Sequence, residues 1–242
     1  MTSCFASDPW ECVLCSKAVS TLSAICHSCA NTAQRSAPGL VPLHCRSPTF
    51  QRVEADFLRS WAHQTAISRP TVTGVQAVLV PQKVMKRYER VRRRSESPKE
   101  TRLYHGTTVA CGFNGYVCSH PSCSLCGIIA NGFRHPKPSS AASLNLGAWD
   151  RFGPAIYTTP VSSKAADYEN LRNGYPFGQG RTRHIIVARV ATGRMQTLHK
   201  EDPQHRRYAS RGFDSIICPP GVSVNHTEHV SYKDTAAVPL FV

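Results

Sequence analysis

No stretch of the 242 residues approaches the roughly 18 consecutive apolar positions of a membrane-spanning helix, so a helical membrane protein is set aside and a soluble one expected. The opening residues, Met1-Thr2-Ser3-Cys4-Phe5-Ala6-Ser7-Asp8, also lack the basic start and apolar core of a secretory signal. The 11 cysteines therefore do not read as a disulfide framework; metal binding by reduced thiols inside the cell, in nucleus or cytoplasm, fits better. Acidic residues are few: 15 Asp and Glu stand against 29 Lys and Arg, for a formal net charge of +14. That balance favours nucleic acid or anionic cofactors electrostatically and says nothing about sequence specificity. The length gives room for one domain of about 140 to 150 residues with something smaller beside it.

What is present first is cysteine in register. Cys12-Val13-Leu14-Cys15 and Cys26-His27-Ser28-Cys29 are two CxxC knuckles with ten residues between them. Two residues between thiolates let both sulfurs of a turn face one ion, and a second such turn completes the tetrahedral sulfur set that zinc prefers. So little apolar content surrounds them that the metal would supply much of the folding free energy of a module over residues 1–35. A redox or unpaired cysteine cluster is the alternative, although a redox CxxC normally opens a helix within a larger fold. His27 reads as a loop residue, and Cys4 and Cys45 stand outside the register. With only Lys17 and Arg35 as basic neighbours, the module is expected to brace the protein or contact another protein. A second group, Cys111, Cys118, Cys123 and Cys126, has one CxxC and irregular spacing elsewhere. It reads either as a second structural zinc site, with His120 as rival fourth ligand, or as free buried cysteines.

Residues 36–48, rich in Pro, Ser and Gly, read as an irregular connector holding a domain boundary. Phe50, Val53, Phe57, Leu58 and Trp61 recur at helical spacing, which gives a short amphipathic helix inside a linker of residues 36–69. Residues 72–80 are β-branched and apolar, as in a buried strand, and Pro81 then opens a helix over residues 82–94. Val84, Met85, Tyr88 and Val91 form its apolar face. Lys86, Arg87, Arg90 and Arg93 form a basic face that is either simply solvated or binds phosphate. Residues 127–133 read as a helix ending at Gly132, and residues 135–145 as a Pro/Ser/Ala-rich loop. Strands are expected at residues 184–190, 213–218, 229–232 and 238–242, with residues 195–212 polar and basic.

Four stretches make chemical sense only together. In Leu103-Tyr104-His105-Gly106-Thr107-Thr108 a histidine ends a strand, and the glycine after it lets a ligand approach the backbone closely. Arg151-Phe152-Gly153-Pro154-Ala155-Ile156-Tyr157 ends on a strand-borne tyrosine, and Ser162-Ser163-Lys164-Ala165-Ala166-Asp167-Tyr168 looks like a helix start. Glu228 opens an alternating run through Tyr232, from which its carboxylate can project into a cleft. In this order His105, Tyr157 and Glu228 resemble the His-Tyr-Glu triad of the poly(ADP-ribose) polymerase-like (PARP-type) ADP-ribosyltransferases, over roughly residues 70–242. The run from Cys118 to Cys126 resembles one found in a fungal branch of that family.

The resemblance implies an α+β fold: a PARP-type split antiparallel β-sheet with flanking helices and NAD in its cleft, preceded by the small zinc module. It implies that ADP-ribose moves from NAD to an acceptor while nicotinamide leaves. Breaking the bond between ribose and a cationic nicotinamide gives the sugar oxocarbenium character, which a nearby carboxylate offsets. Glu228 would take that role, holding the 2'-hydroxyl of the nicotinamide ribose and polarising the acceptor, with His105 and Tyr157 completing the catalytic set. Tyr157 and Tyr168 would hold the flat nicotinamide ring. Gly106 would pair through its backbone with the carboxamide, His105 would hydrogen-bond the adenosine ribose, and Thr107 and Ser163 join the NAD-binding set. The loop at residues 135–145 resembles one that closes over NAD. Two residues depart from the family pattern: Ala155 stands where Gly is usual, and Ala165 where a nicotinamide-binding Ser is frequent. The second removes a hydrogen bond worth roughly 0.5 to 1.5 kcal/mol. The acceptor is expected to be a protein side chain, with a nucleic-acid end as the second choice. The rival readings are a catalytically inactive module that binds NAD, ADP-ribose, nucleic acid or protein, and an NAD hydrolase.

Overall fold

Apolar strands with two buried faces, residues 185–191 and 237–241 among them, centre the architecture on a sheet. The computed structural model describes residues 10–19, 24–26, 28–29, 39–62, 69–135, 151–173, 182–201 and 208–242. Five strands form a wholly antiparallel sheet in the order β3 (Gly39–Pro42), β4 (Gln76–Leu79), β11 (Ala237–Phe241), β7 (Ile185–Ala191) and β5 (Glu100–Gly106). A second sheet runs β6 (Ile156–Thr158), β10 (Glu228–Ser231), β9 (Ser215–Cys218) and β8 (Met195–Thr197), antiparallel except for the parallel pair β8 and β9. The sheets meet at one isolated antiparallel bridge: Tyr104 N donates to Thr159 O at 2.8 Å and Thr159 N returns to Tyr104 O at 3.0 Å. This is the split sheet that the resemblance implies.

Four helices are found among the described residues, and none is long and apolar enough to cross a membrane. Helix α2 (Gln82–Arg93) buries Val84 and Tyr88 completely on the sheet, as its 3.6-residue pattern requires. The Tyr88 hydroxyl donates to the carboxylate of Glu100, which also takes Arg189: Nη2 lies 2.9 Å from Oε2 and Nε 2.7 Å from Oε1. That guanidinium sits 5.4 Å from the Tyr88 ring centre, so a buried cation is met by both a carboxylate and a π face. On the opposite side of α2, Lys86, Arg90 and Arg93 are exposed, whereas Arg87 donates to Asn131 O at 2.9 Å and ties α2 to its neighbour.

Three elements differ from the sequence expectation, each for a local reason. Within the supposed irregular connector, Leu40 and Val41 build strand β3; its Pro42 is tolerated because β3 is an edge strand, where a missing N–H need not break a ladder. Helix α3 (Ser124–Asn131) begins inside the second cysteine group, three residues before the expected start, and stops where Gly132 takes φ +76. Strand β8 lies in the segment read as merely polar, its alternation being too short to register over three residues. The amphipathic helix is α1 (Pro48–Arg59), with Ser47 Oγ accepting from Phe50 N at 3.2 Å as N-cap and Pro48 in the first turn.

The N-terminal residues share a core with the larger unit. Strands β1 (Trp10–Glu11) and β2 (Ala18–Val19) form a small hairpin, and Cys12, Val19, Ala24 and Ile25 are buried with Phe50, Val53, Tyr104, Ala165 and Phe241. Helix α1 is fastened to the larger unit by polar bonds as well. Asp56 pairs with the buried Arg102 at 3.2 Å, and Phe57 O accepts from Ser162 Oγ at 2.7 Å.

In the second sheet His229 is buried between neighbours. Ser215 Oγ donates to Thr192 O at 2.6 Å, which leaves it to accept from His229 Nε2 at 3.0 Å, and His229 Nδ1 lies 3.2 Å from Thr158 Oγ1. Burial pushes its pKa from the ordinary 6.5 down to about 4. The folded state therefore refuses a proton that the unfolded chain accepts, and the stability from this group is full above pH 6.5 and lost as pH falls toward 4. The expected loss is about 3 kcal/mol. Urea midpoints of wild type and His229→Gln at pH 7 and pH 4.5 check this: the variant's profile should be flatter by most of that amount.

Candidate active site

Strand β5 delivers His105 and Gly106 just beyond the bridge at which the two sheets part. His105 Nδ1 lies 2.7 Å from the carbonyl of Tyr157; a carbonyl only accepts, so Nδ1 carries the proton. Phe133 meets the imidazole edge-on with ring centres 5.0 Å apart. Gly106 is required for steric reasons: a Cβ there would fall 1.8 Å from the carbonyl oxygen of Ala165 and 3.0 Å from Tyr168 Cβ. The absence of a side chain thus lets β5 lie directly against the first turn of α4 (Ser162–Asn173).

Tyr157 comes from β6, and its hydroxyl is turned back on the preceding loop, accepting from Phe152 N at 3.0 Å and donating to Gly153 O at 2.8 Å. Gly153 has φ +78, a conformation the tight Phe152-Gly153 turn needs. From α4, Lys164 and Tyr168 stand four residues apart and so share one helix face. Both reach Glu228, the first residue of β10: Lys164 Nζ is 2.7 Å and the Tyr168 hydroxyl 3.3 Å from Oε1. Lys164 also donates to His226 O at 3.1 Å. Glu228 is only 6% exposed, so its charge is met at short range by an ammonium rather than by bulk water.

Together these side chains line one cleft where β5, β6, α4 and β10 meet. Among the residues expected to act, His105, Gly106, Tyr157, Tyr168 and Glu228 line it. Thr107 and Ser163 do not: both are buried, and the Ser163 hydroxyl accepts from Ala62 N at 3.2 Å on the far side of α4. Lys164 is the addition. Its position one turn before Tyr168 was the available signal, but its partner Glu228 lies 64 residues away. Ala165, also lining the cleft, offers only a methyl. Of the loop at residues 135–145, all but His135 lies outside the described residues.

Both cysteine groups come together. The four Sγ atoms of Cys12, Cys15, Cys26 and Cys29 lie within 4.8 Å of one another, as do those of Cys111, Cys118, Cys123 and Cys126. Four sulfurs at 2.3 Å from a tetrahedral zinc stand about 3.8 Å apart. The observed separations are 3.7 Å for Cys15 and Cys26, 3.5 Å for Cys111 and Cys123, and 3.8 Å for Cys111 and Cys126. The donor set therefore fits zinc in size and chemistry. His120 stands apart from this set, its Nδ1 2.7 Å from Ser122 Oγ. Burial raises the Cys12 and Cys123 thiols, but surrounding backbone and thiol donors outweigh it and bring each to about 6.

The contact between Gly106 and Ala165 gives a signed pair of expectations. Gly106→Ala should destabilise the protein by about 1 to 3 kcal/mol, because backbone atoms must move apart. Gly127→Ala, in the middle of α3 with no atom within 4 Å of the new methyl, should stabilise it by about 0.5 to 1 kcal/mol. Denaturant midpoints of the two variants check both signs.

A family model described as the poly(ADP-ribose) polymerase catalytic domain matches residues 47–242, beginning at the N-cap of α1. No curated protein matches the chain. Since the matched stretch is 196 of its 242 residues and contains every element of the two sheets except β3, the chain belongs to the poly(ADP-ribose) polymerase catalytic domain family of ADP-ribosyltransferases.

Proposed function

We propose that the cleft transfers ADP-ribose from NAD to an acceptor, a protein side chain in the first instance, with release of nicotinamide. The observation that carries this reading is the convergence of His105, Tyr157, Tyr168 and Glu228, from four separate elements, on one cleft in which Lys164 grips the carboxylate. Glu228 faces the sugar end of the substrate. As the bond from ribose C1' to the nicotinamide nitrogen breaks, its electron pair leaves with nicotinamide and positive charge develops on the ribose. The carboxylate, itself buried, offsets that charge at short range. The acceptor then bonds to C1' and releases its proton to solvent. Lys164 and Tyr168 hold Glu228 in one orientation, which is the preorganisation that such charge stabilisation needs. Tyr157, with its hydroxyl anchored on Gly153, presents its ring as a wall for the nicotinamide. His105 and the backbone of Gly106 hold the remaining polar groups of the dinucleotide.

Each group of four cysteines is assigned one zinc ion. The N-terminal one braces α1, and through Phe57 and Ser162 it supports the first turn of α4.

Ala165 favours a second reading, nucleotide binding without turnover, because the carboxamide loses a hydroxyl partner there. Nicotinamide release by the purified protein separates the two. Wild type should turn NAD over, and Glu228→Gln, nearly isosteric and without the charge, should be slower by on the order of a hundredfold or more while still binding an unreactive NAD analogue. Equal release by both proteins would remove Glu228 from the mechanism. Binding without release by either would leave the binding module, and ADP-ribose recovered free rather than on protein would assign hydrolysis.

A further inference from the structure

The chain leaves the cleft at Gly106 and returns beside it at Phe133, whose ring lies against His105 behind the lining. The first part of this excursion, residues 107–123, contains neither helix nor strand. Val109, Phe113 and Val117 give it only half-buried apolar cover, and its internal backbone bonds are few, Phe113 N to Cys111 O and Cys123 N to His120 O among them. A segment of this kind does not offset its own ordering entropy by burial. Three features nevertheless close it onto α3: Thr108 Oγ1 donates to Ser124 Oγ at 2.9 Å, Leu125 N donates to Thr108 O at 3.1 Å, and Cys111 and Cys118 meet the buried Cys123 and Cys126. The other end of α3 is seated independently. Asn131 O takes Arg87, and Gly132 packs so tightly on Val84 that a Cβ would come within 2.5 Å of it.

We infer that the Cys111, Cys118, Cys123 and Cys126 site is a metal-held clamp that positions His105 and Gly106, so that occupancy of this site sets the affinity of the cleft for its nucleotide. The inference rests on the reading of the cleft as an NAD site. The ion joins the stretch just downstream of Gly106 to the start of α3, while Arg87 and Val84 fix the end of α3 from which Phe133 reaches back to His105. With both ends held, the imidazole is confined between Phe133 and the carbonyl of Tyr157. Without the ion the side running through Thr108 is left with its two hydrogen bonds to Ser124 and Leu125 alone, and the orientation of His105 loosens. These four residues touch no reacting atom; they are positioning residues.

The test compares Cys118→Ala, at a half-buried ligand, with Cys118→His, which restores a zinc-binding atom. Three quantities are read: zinc per chain, the dissociation constant of carba-NAD, and the ring ¹⁵N and N–H signals of His105. Wild type should carry two ions, bind the analogue and show a hydrogen-bonded Nδ1–H. Cys118→Ala should carry one ion, bind about tenfold or more weakly, and lose or broaden the His105 signal. Cys118→His should regain the second ion, recover affinity to within about threefold and restore the signal. Loss of one ion by Cys118→Ala with affinity and His105 signal unchanged would overturn the clamp, as would retention of two ions. If wild type binds no analogue, the nucleotide reading fails by itself, and the His105 signal alone decides whether the clamp exists. Should Cys118→Ala not fold, removing one ion from wild type with a chelator gives the same readouts, with alkylation of Cys118 identifying the emptied site.

Discussion

The bridge between Tyr104 and Thr159 is the constraint on which the cleft depends. Two reciprocal backbone bonds join sheets that diverge on the far side of this point. His105 and Gly106 on one strand, and Tyr157 and Thr158 on the other, are where a continued ladder would have paired. Instead the histidine turns its own Nδ1 to the Tyr157 carbonyl, satisfying across the gap a group that a ladder would have used. The polar backbone exposed by such a split is the kind of surface that holds a polar ligand. A cleft made in this way is rigid because its walls are strands and a helix rather than loops.

Support for those walls comes from behind. Ser162 and Ser163 look away from the cleft, toward α1 and Ala62, and Arg102 on β5 is paired with Asp56 of the same helix. Phe57 adds an edge-to-face contact with Tyr104, with ring centres 5.8 Å apart. The N-terminal cysteine hairpin packs into the same apolar cluster, which reaches Tyr104 and Ala165. What looked like an appended module and its linker is thus continuous, in packing terms, with the wall that presents Lys164 and Tyr168. A buried ion pair such as Lys164 with Glu228 is worth little to stability on its own account and is strongly disfavoured once one partner is removed.

Much of this was legible in the residues. His105 and Glu228 stand near strand ends and Tyr157 within a three-residue strand, where alternation and apolar lead-ins locate them, and the paired cysteines carry their geometry in their spacing. The helix of Phe50, Val53 and Phe57 followed from period alone. Strands β3 and β8 did not, since strands of four and three residues are decided by partners distant in sequence. The direction of Ser163 was not legible for a related reason. The sequence places it next to Lys164, but neighbours on a helix point about 100° apart, and only the position of α1 decides which of the two faces the cleft. Lys164 could be paired with Tyr168 by helical spacing, whereas its ion pair with Glu228 required the tertiary fold.

The most direct measurement is a crystal structure of the protein with carba-NAD, an analogue whose bond to nicotinamide does not break. The expected result has the nicotinamide ring between Tyr157 and Tyr168, its carboxamide on the backbone of Gly106, and a Glu228 oxygen within hydrogen-bonding distance of the adjoining ribose hydroxyl. An analogue bound outside this cleft, or bound in it with the nicotinamide end turned away from Glu228, would contradict the assignment of ADP-ribosyl transfer to these residues.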